Sequence, residues 1–198
     1  FLFLDTASIL TISSTSASDT SSGTGARTVK LIGLDNSYTE IEETVTLTGT
    51  GDVATAQSFL RLNLFEVSTA GSYGGAQGNV TASAGSNLQA IIVNGHNTSL
   101  SSIYTVPLGY VGLIFSIEVS VGKNRSVLTT LRARDFGGVF HAKSAVKIFQ
   151  QSYLQGKKFA LYLDEKTDVK MTAVADNPNA YCATEYQILL LDKEHYGA

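Results

Sequence analysis

The sequence predicts an all-β protein, an antiparallel β-sandwich of jelly-roll type with about ten short strands. Apolar and polar residues alternate with period two along most of the chain, which is the signal for half-buried strands. Gly, Asn and Asp clusters interrupt this alternation at intervals of about eight to fifteen residues, as turns do. Only residues 144–154 also fit a helical spacing, and their strand neighbours favour a strand there as well.

The chain is predicted to consist of an N-terminal arm followed by one domain. Residues 1–22 form the arm and a Ser/Thr-rich linker, with an edge strand over 7–13, and residues 23–198 form a single β-sandwich. The small polar residues of 13–25 have no apolar side chains with which to bury that segment. A chain of 198 residues is long enough to bury a core without further domains.

The first four residues, Phe1, Leu2, Phe3 and Leu4, are interpreted as an anchoring arm. An apolar run of this length is too short for a signal peptide or a membrane span. Because no methionine precedes it, we expect the chain to be part of a longer protein.

Residues 23–49 form the clearest hairpin. Residues 27–34 and 43–48 each alternate apolar and polar side chains, and the polar corner Asp35-Asn36-Ser37 separates them. Such a hairpin is not stable alone in water, so further strands must cover its apolar face.

The later strands are predicted from the same alternation. Apolar residues on both sides of 60–64 predict a central strand. Residues 71–78 form a loop, residues 80–93 a second hairpin, and residues 127–134, 157–163, 167–175 and 181–191 further strands. The cleanest alternation is at 111–121, where we expect the core side chains to be Val111, Leu113, Phe115, Ile117, Val119 and Val121.

Composition restricts the partners. Charged residues make up 16% of the chain, well below the roughly 25% of average domains, which fits either a surface covered by neighbours or a Ser/Thr-coated β protein. The net charge of −3 and the absence of a run of cations exclude nucleic acid as a partner. The densest basic positions, Arg132/Arg134 and Lys157/Lys158, are interpreted as ordinary strand or turn charges, and no membrane partner is expected.

No motif predicts an enzyme, a cofactor or a metal. Asp5-Thr6-Ala7-Ser8 resembles an aspartic-protease loop but lacks its glycine and a matching second copy, so it is interpreted as coincidence. Cys182 is the only cysteine, which excludes an intrachain disulfide and indicates a structural thiol. Carboxylates at Asp164, Glu165 and Asp168 suit either Ca²⁺ or a charged turn tied by Lys166, and the turn is favoured.

Two further groups of side chains are candidate binding residues. Glu40, Glu42 and Glu43 lie on one arm of the first hairpin and are predicted to contact another subunit. Tyr73, Tyr104 and Tyr110 could supply an aromatic platform for a glycan, although Tyr104 and Tyr110 could equally pack against the Pro107-Leu108-Gly109 corner.

Several segments together resemble virion structural proteins of tailed bacteriophages, many of them marine or cyanobacterial. The segments are Ser18-Asp19-Thr20-Ser21-Ser22-Gly23-Thr24-Gly25-Ala26-Arg27-Thr28-Val29, Gly33-Leu34-Asp35, Glu43-Thr44-Val45-Thr46-Leu47-Thr48-Gly49, the Tyr-Thr-Val-Pro-x-Gly-Tyr corner at 104–110 and Glu165-Lys166-Thr167-Asp168. The resemblance runs from about Ser18 to the C-terminus, and its first block is the most specific part.

The resemblance implies a β-rich, often trimeric component on the outside of the capsid, or a fibre or tail part, and it carries over no catalytic residue. We therefore expect a capsid-decoration (cement) protein on the outer surface of a virion. It would associate with itself as a homotrimer, and with the major capsid protein or other virion proteins. The alternatives are a receptor- or glycan-binding module of a phage fibre or tail, with a host glycan as ligand, and a secreted or surface β-sandwich that depends on Ca²⁺.

Overall fold

The chain is all-β, as the sequence predicts. A computed structural model describes residues 2–123, 125–150, 152–177 and 179–195. These residues contain fourteen strands, all paired antiparallel, and no helix. They fall into two compact units, Phe1–Ser101 and Ser102–Ala198, each with its own hydrophobic core.

The first unit contains seven strands in two sheets. The strands are β1 (Ser8–Ser14), β2 (Ala26–Leu34), β3 (Glu40–Thr46), β4 (Val53–Phe59), β5 (Arg61–Ala70), β6 (Val80–Ala84) and β7 (Asn87–Ile92). One sheet has the order β4-β1-β6-β7 and the other β3-β2-β5. Both sheets contribute to one buried cluster, in which Phe59 and Phe65 are the largest side chains.

The hairpin predicted at 23–49 is confirmed by the pairing of β2 with β3, in which Val29 lies opposite Val45. Its corner is held by Asp35, whose Oδ1 accepts hydrogen bonds from the N–H groups of Ser37 and Thr39 at 2.8 and 3.0 Å. Tyr38 closes the turn in the left-handed region, with φ of 65°. The local alternation and the turn residues therefore agree with the observed pairing.

The N-terminal strand is not at an edge. β1 pairs with β4 on one side and with β6 on the other, so it is an interior strand of its sheet. Its side chains Leu10 and Ile12 are fully buried. The expectation of an edge strand over 7–13 is therefore wrong, because β4 and β6 pair with the two sides of β1.

The second unit also contains seven strands in two sheets. The strands are β8 (Ile103–Thr105), β9 (Tyr110–Val121), β10 (Ser126–Arg134), β11 (His141–Phe149), β12 (Ser152–Leu163), β13 (Asp168–Ala175) and β14 (Cys182–Asp192). One sheet has the order β11-β10-β13-β8 and the other β12-β9-β14. In the ambiguous segment 144–154, residues 144–149 belong to β11 and residues 152–154 to β12, so the described strand residues are extended, as predicted, and Gln150 between them has a φ of 53°.

The core strand β9 differs from its predicted pattern at its centre. Ser116 lies opposite Gln187 and Ile114 opposite Ile188, so Phe115 is an extra residue that forms a β-bulge. The bulge shifts the alternation, and Ile114 rather than Leu113 is fully buried. Phe115, predicted to lie in the core, is instead 41% exposed.

The strand number and the jelly-roll connectivity are not confirmed. A jelly roll places eight strands in two sheets, whereas each unit here has a four-stranded and a three-stranded sheet among its described residues. The count of about ten strands was too low partly because residues 53–67 are two strands that divide at Leu60. The division between Ser101 and Ser102 was not expected, although the polar segment 94–102 is a sequence signal for it.

Candidate functional site

A cleft of about 430 Å³ opens at one end of the second unit. The β10–β11 connection supplies Asp135 and Phe136, and the β12–β13 connection supplies Asp164, Glu165 and Thr167. Lys143 of β11 and Tyr162 of β12 complete the lining. Two aromatic rings and three carboxylates thus line one concave surface.

Two tight turns hold these side chains in place. In the β10–β11 connection the N–H of Gly138 donates to the carbonyl of Asp135 at 2.9 Å, and Gly137 has a φ of 73°. In the β12–β13 connection the N–H of Thr167 donates to the carbonyl of Asp164 at 3.3 Å. The Thr167 hydroxyl reaches Asp135 Oδ1 at 3.5 Å, which joins the two turns.

Lys193 neutralises two carboxylates of the cleft. Its Nζ lies 2.9 Å from Asp164 Oδ1 and 3.0 Å from Glu165 Oε1. The hydrogen bond from Lys193 holds the pKa of Asp164 below its usual value, and the N–H of Gly109, 2.8 Å from Glu165 Oε2, does the same for the pKa of Glu165, with help from Lys193. The hydrogen bonds that Lys193 donates to Asp164 and Glu165 raise the pKa of Lys193.

This cluster predicts a pH-dependent contribution to stability. Because the folded pKa values of both acids are lowered, their contribution is present above the usual carboxyl pKa and is lost as the pH falls through the folded values. Because the folded pKa of Lys193 is raised, the contribution of this side chain to stability is lost only when the pH rises through that raised value. We expect Lys193→Gln to lower the Tm slightly at pH 7 and to leave it unchanged at about pH 2.

Calorimetry of Lys193→Gln and wild type across this pH range checks the prediction. Lys147→Gln, which removes an exposed cation of the same unit, serves as the matched control. An equal loss of Tm at acid and neutral pH would contradict the proposed ion pairing.

Behind the cleft, Asp168 takes part in a buried ion pair. Arg134 Nε donates to Asp168 Oδ2 at 3.0 Å and the Thr105 hydroxyl donates to Oδ1 at 2.6 Å. The Asp168 side chain is only 4% exposed. Asp168 is therefore engaged by protein groups, and the described residues contain no cluster of three or more His, Cys, Asp or Glu side chains suited to a metal ion.

The favoured charged-turn interpretation of 164–168 fits this geometry, with one change of partner. Lys193, from the end of the chain, forms the ion pairs with Asp164 and Glu165. Lys166 places its Nζ 5.1 Å from the centroid of the Phe136 ring, a cation–π contact. Sequence reasoning missed Lys193 because it is 28 residues from Glu165.

The three tyrosines of the expected glycan platform lie in different elements. Tyr73 is 55% exposed in the loop after β5 of the first unit. Burial raises the pKa of Tyr186, and Tyr104, in β8, adds to this shift. Tyr110, the first residue of β9, is 42% exposed beside the Gly109 N–H that contacts Glu165. The cleft residues Phe136 and Tyr162 were not singled out from the sequence as ligand-binding aromatics.

The N-terminal residues pack partly on their own unit. Phe3 is 9% exposed, and the guanidinium of Arg61 lies 5.0 Å from its ring centroid. Arg61 Nη1 also donates to the carbonyl of Leu4 at 2.7 Å, and Leu4 contacts the core. Leu2 is 57% exposed, and Phe1 lies outside the described residues. Of the described residues in the expected anchoring arm, Leu2 is therefore the most available to a partner.

The acidic arm of the first hairpin has a role within its own unit. Glu43 accepts hydrogen bonds from the N–H groups of Ala56 and Gln57 at 2.7 and 2.9 Å, which links β3 to β4 and hence one sheet to the other. Glu42 lies 3.0 Å from Lys30 Nζ. Glu40 and Glu42 are exposed, so the predicted subunit contact stays a prediction that rests on these two residues.

The first unit is organised around a buried carboxyl group, that of Asp19, which is fully buried. Asp19 Oδ1 accepts from the N–H groups of Ala26 and Gln77 at 2.8 and 3.0 Å, and Oδ2 accepts from the Ser14 hydroxyl and the Gly78 N–H at 2.5 and 3.0 Å. The segment predicted to be a solvated linker is therefore a structural centre. Its burial depends on β6 and on the loop before it, which the local sequence does not reveal.

Two glycines in this segment are required by close packing. A Cβ on Gly25 would lie 2.0 Å from Asp19 Oδ1, and a Cβ on Gly23 would lie 2.0 Å from the Ser18 carbonyl oxygen. Both belong to the segment 18–29. In this chain the segment has a structural function, since its glycines pack closely around Asp19 and Ser18.

The structure brings together cations that are separate in the sequence. Arg132 lies directly opposite Lys170 across β10 and β13, while Arg134 is paired with Asp168. Lys170 Nζ lies 4.3 Å from the centroid of the Phe140 ring. The exclusion of nucleic acid, which relied on the absence of a basic run, therefore stays a prediction.

Cys182 fits a structural role. It contacts the core of the second unit, and burial raises the pKa of its thiol. A raised pKa leaves less of the reactive thiolate at neutral pH.

The fold and the cleft define an all-β protein of two antiparallel units, the second of which has an aromatic and acidic cleft at its loop end. No protein-family model matches the chain, and neither a curated protein nor a solved structure matches it. No helix among the described residues has the length and apolar character to cross a membrane.

Proposed function

We propose that this chain is a virion structural protein, a capsid-decoration protein that stabilises a phage head through contacts between subunits. The observation that carries the proposal is the uneven exposure of apolar side chains. Among the described residues, the second unit exposes twelve large apolar side chains and the first unit six. Where exposed apolar side chains adjoin one another in a patch, they are typical of surfaces that contact other proteins.

One face of the second unit is the best candidate for this contact. In the sheet β12-β9-β14, Leu113 lies directly opposite Tyr162 on one side and Leu189 on the other. Directly opposed residues share a face of a sheet, and Tyr162 and Leu189 are each almost half exposed. Phe115, displaced by the bulge, adds a further exposed ring. We call these four residues the apolar face.

We assign the apolar face to contact between copies of the chain in a homotrimer on the outer surface of the particle. The low proportion of charged residues and the resemblance to phage virion proteins support this assignment. The other partners in the proposal are the major capsid protein or neighbouring virion proteins, with Leu2, Glu40 and Glu42 as candidate contacts.

The test is a double variant of the apolar face, Phe115→Ser with Leu189→Ser. Each buried side chain of this size contributes about 1.5–3 kcal/mol to association, so we expect the trimer to dissociate at micromolar concentrations. Sedimentation velocity measures the oligomeric state, and co-sedimentation with purified phage heads measures attachment. Both substitutions are at exposed positions, so the circular dichroism spectrum should not change.

Leu100→Ser provides the matched control, because Leu100 is 79% exposed and belongs to the first unit. The control should behave as wild type in both assays. A double variant that remains trimeric and attaches to heads as wild type does would refute this use of the apolar face.

The cleft favours a second candidate function, a receptor- or glycan-binding module of a phage fibre or tail. Two exposed aromatic rings and three carboxylates in a concave surface are suited to a small polar ligand. Deletion of residues 1–11 does not separate the two functions, because it removes half of the interior strand β1. Tyr162 belongs both to the apolar face and to the cleft, so the variants that separate the two functions are those of Phe115 and Leu189 on the face and those of Asp135 and Phe136 in the cleft.

A further inference from the structure

We infer that the cleft binds an uncharged, hydroxyl-rich ligand, the end of a neutral glycan, and rejects anionic sugars. This inference rests on the second proposed function and specifies its ligand class. It uses the geometry of Asp135, Phe136, Tyr162 and Asp164, and none of the three tyrosines considered from the sequence is among these residues.

The size of the cleft suits a short sugar. Its volume of about 430 Å³ lies near the lower end of the range for small-molecule sites, roughly 300–1,000 Å³. Turns and strand ends form its walls, so the backbone hydrogen bonds of the β10–β11 and β12–β13 connections hold it open. A mono- or disaccharide fits a surface of this size, whereas a larger glycan would extend into solvent.

Two aromatic side chains provide apolar contact. Phe136, in the β10–β11 connection, is 66% exposed, and Tyr162, in β12, is 47% exposed. The C–H faces of a sugar ring pack against aromatic rings, which provide a large apolar surface with little loss of side-chain entropy. Lys166 contacts the Phe136 ring and so helps to fix its orientation before a ligand arrives.

Carboxylate oxygens in the cleft remain available to accept hydrogen bonds from hydroxyl groups. Asp164 accepts from Lys193 and from the Glu165 N–H through Oδ1, and Asp135 accepts from Thr167 through Oδ1. Within the described chain, no hydrogen bond involves Oδ2 of either residue. An ionised carboxylate only accepts, so its natural partner is a donor such as a sugar hydroxyl.

Three cations around the cleft contact protein groups. Lys193 contacts Asp164 and Glu165, Lys166 contacts Phe136, and Arg134 contacts Asp168. Of the lining residues, only Lys143 is a cation, and Lys193 balances two of the three lining carboxylates. A carboxylate or phosphate on the ligand would meet Asp135 and compete with Asp164 and Glu165 for Lys193, whereas a sugar hydroxyl displaces no ion pair, which disfavours anionic sugars.

The experiment measures binding of the full chain to a glycan array and then to individual sugars by saturation-transfer NMR. The probes are neutral hexose and N-acetylhexosamine oligosaccharides, with sialylated and phosphorylated oligosaccharides as the anionic set. We expect binding to neutral probes only. Phe136→Ala and Asp135→Ala should each weaken it at least tenfold, a loss in the range for removing a buried apolar contact or a charged hydrogen bond.

Tyr73→Ala is the matched control, because it removes an exposed aromatic ring from the other unit, and it should leave binding unchanged. Unchanged melting temperatures of the two cleft variants show that weaker binding is not caused by unfolding. Neutral-sugar binding that survives both cleft substitutions would overturn the assignment to this cleft.

The remaining outcomes separate this inference from the function on which it rests. Binding of anionic glycans alone, lost in the cleft variants, would overturn the ligand class while supporting a glycan-binding module. Binding to no probe of either set would overturn both the ligand class and the glycan-binding function. Neither result affects the decoration proposal, which depends on the apolar face.

Discussion

Replacing Asp19 by alanine is expected to unfold the first unit. The substitution leaves the Ser14 hydroxyl and the N–H groups of Ala26, Gln77 and Gly78 without the carboxyl oxygens that accept from them. Each buried donor left without a partner costs about 1–3 kcal/mol. The expected loss therefore exceeds about 4 kcal/mol, which is comparable to the whole stability of a small domain, about 5–15 kcal/mol.

Urea unfolding measures the change in the free energy of unfolding, and hydrogen exchange locates it. We expect the amides of β1, β2 and β6 to lose protection while those of β9 and β13 keep it. Asp52→Ala, at an exposed position of the same unit, is the control and should change stability by less than about 0.5 kcal/mol. A similarly small effect of Asp19→Ala would show that Asp19 does not organise the unit.

Asp168→Ala is expected to have the second-largest effect, and in the other unit. It removes the carboxylate that accepts from the Arg134 guanidinium and the Thr105 hydroxyl, while Arg134 remains mostly covered. Removing one partner of a buried ion pair costs about 3–5 kcal/mol, because the other charge is left without compensation. The loss should appear in the second unit, whose strands β8, β10 and β13 these three residues join.

The same unfolding measurement tests this prediction. Asp164→Ala removes an exposed carboxylate from a neighbouring turn and should cost no more than about 1 kcal/mol. The double variant Arg134→Met with Asp168→Leu should be more stable than Asp168→Ala alone, because it removes both charges together. Equal effects of Asp168→Ala and Asp164→Ala would contradict a special role for the buried pair.

The two carboxylates, Asp19 and Asp168, lie in segments whose sequences predict a linker and a charged turn. The structure supplies a physical reason for these residue types, since each carboxylate joins elements that are distant in the chain. These two segments therefore stabilise the fold.

The sequence by itself determined the all-β class, the hairpin of β2 and β3 and the extended conformation of residues 144–149 and 152–154. These features depend on neighbouring residues, because side chains of a strand alternate between two faces and turns need Asn, Asp or Gly at particular places. The alternation also predicted the buried positions of Val29, Val45, Ile117 and Val119.

Only the tertiary structure decided which strands are interior, where alternation changes phase and which charged groups are buried. The interior position of β1, the bulge at Phe115 and the burial of Asp19 depend on strands that pair across long stretches of sequence. The cleft likewise joins two connections about thirty residues apart. Local alternation contains no information on such pairings, because one strand pattern is compatible with many neighbours.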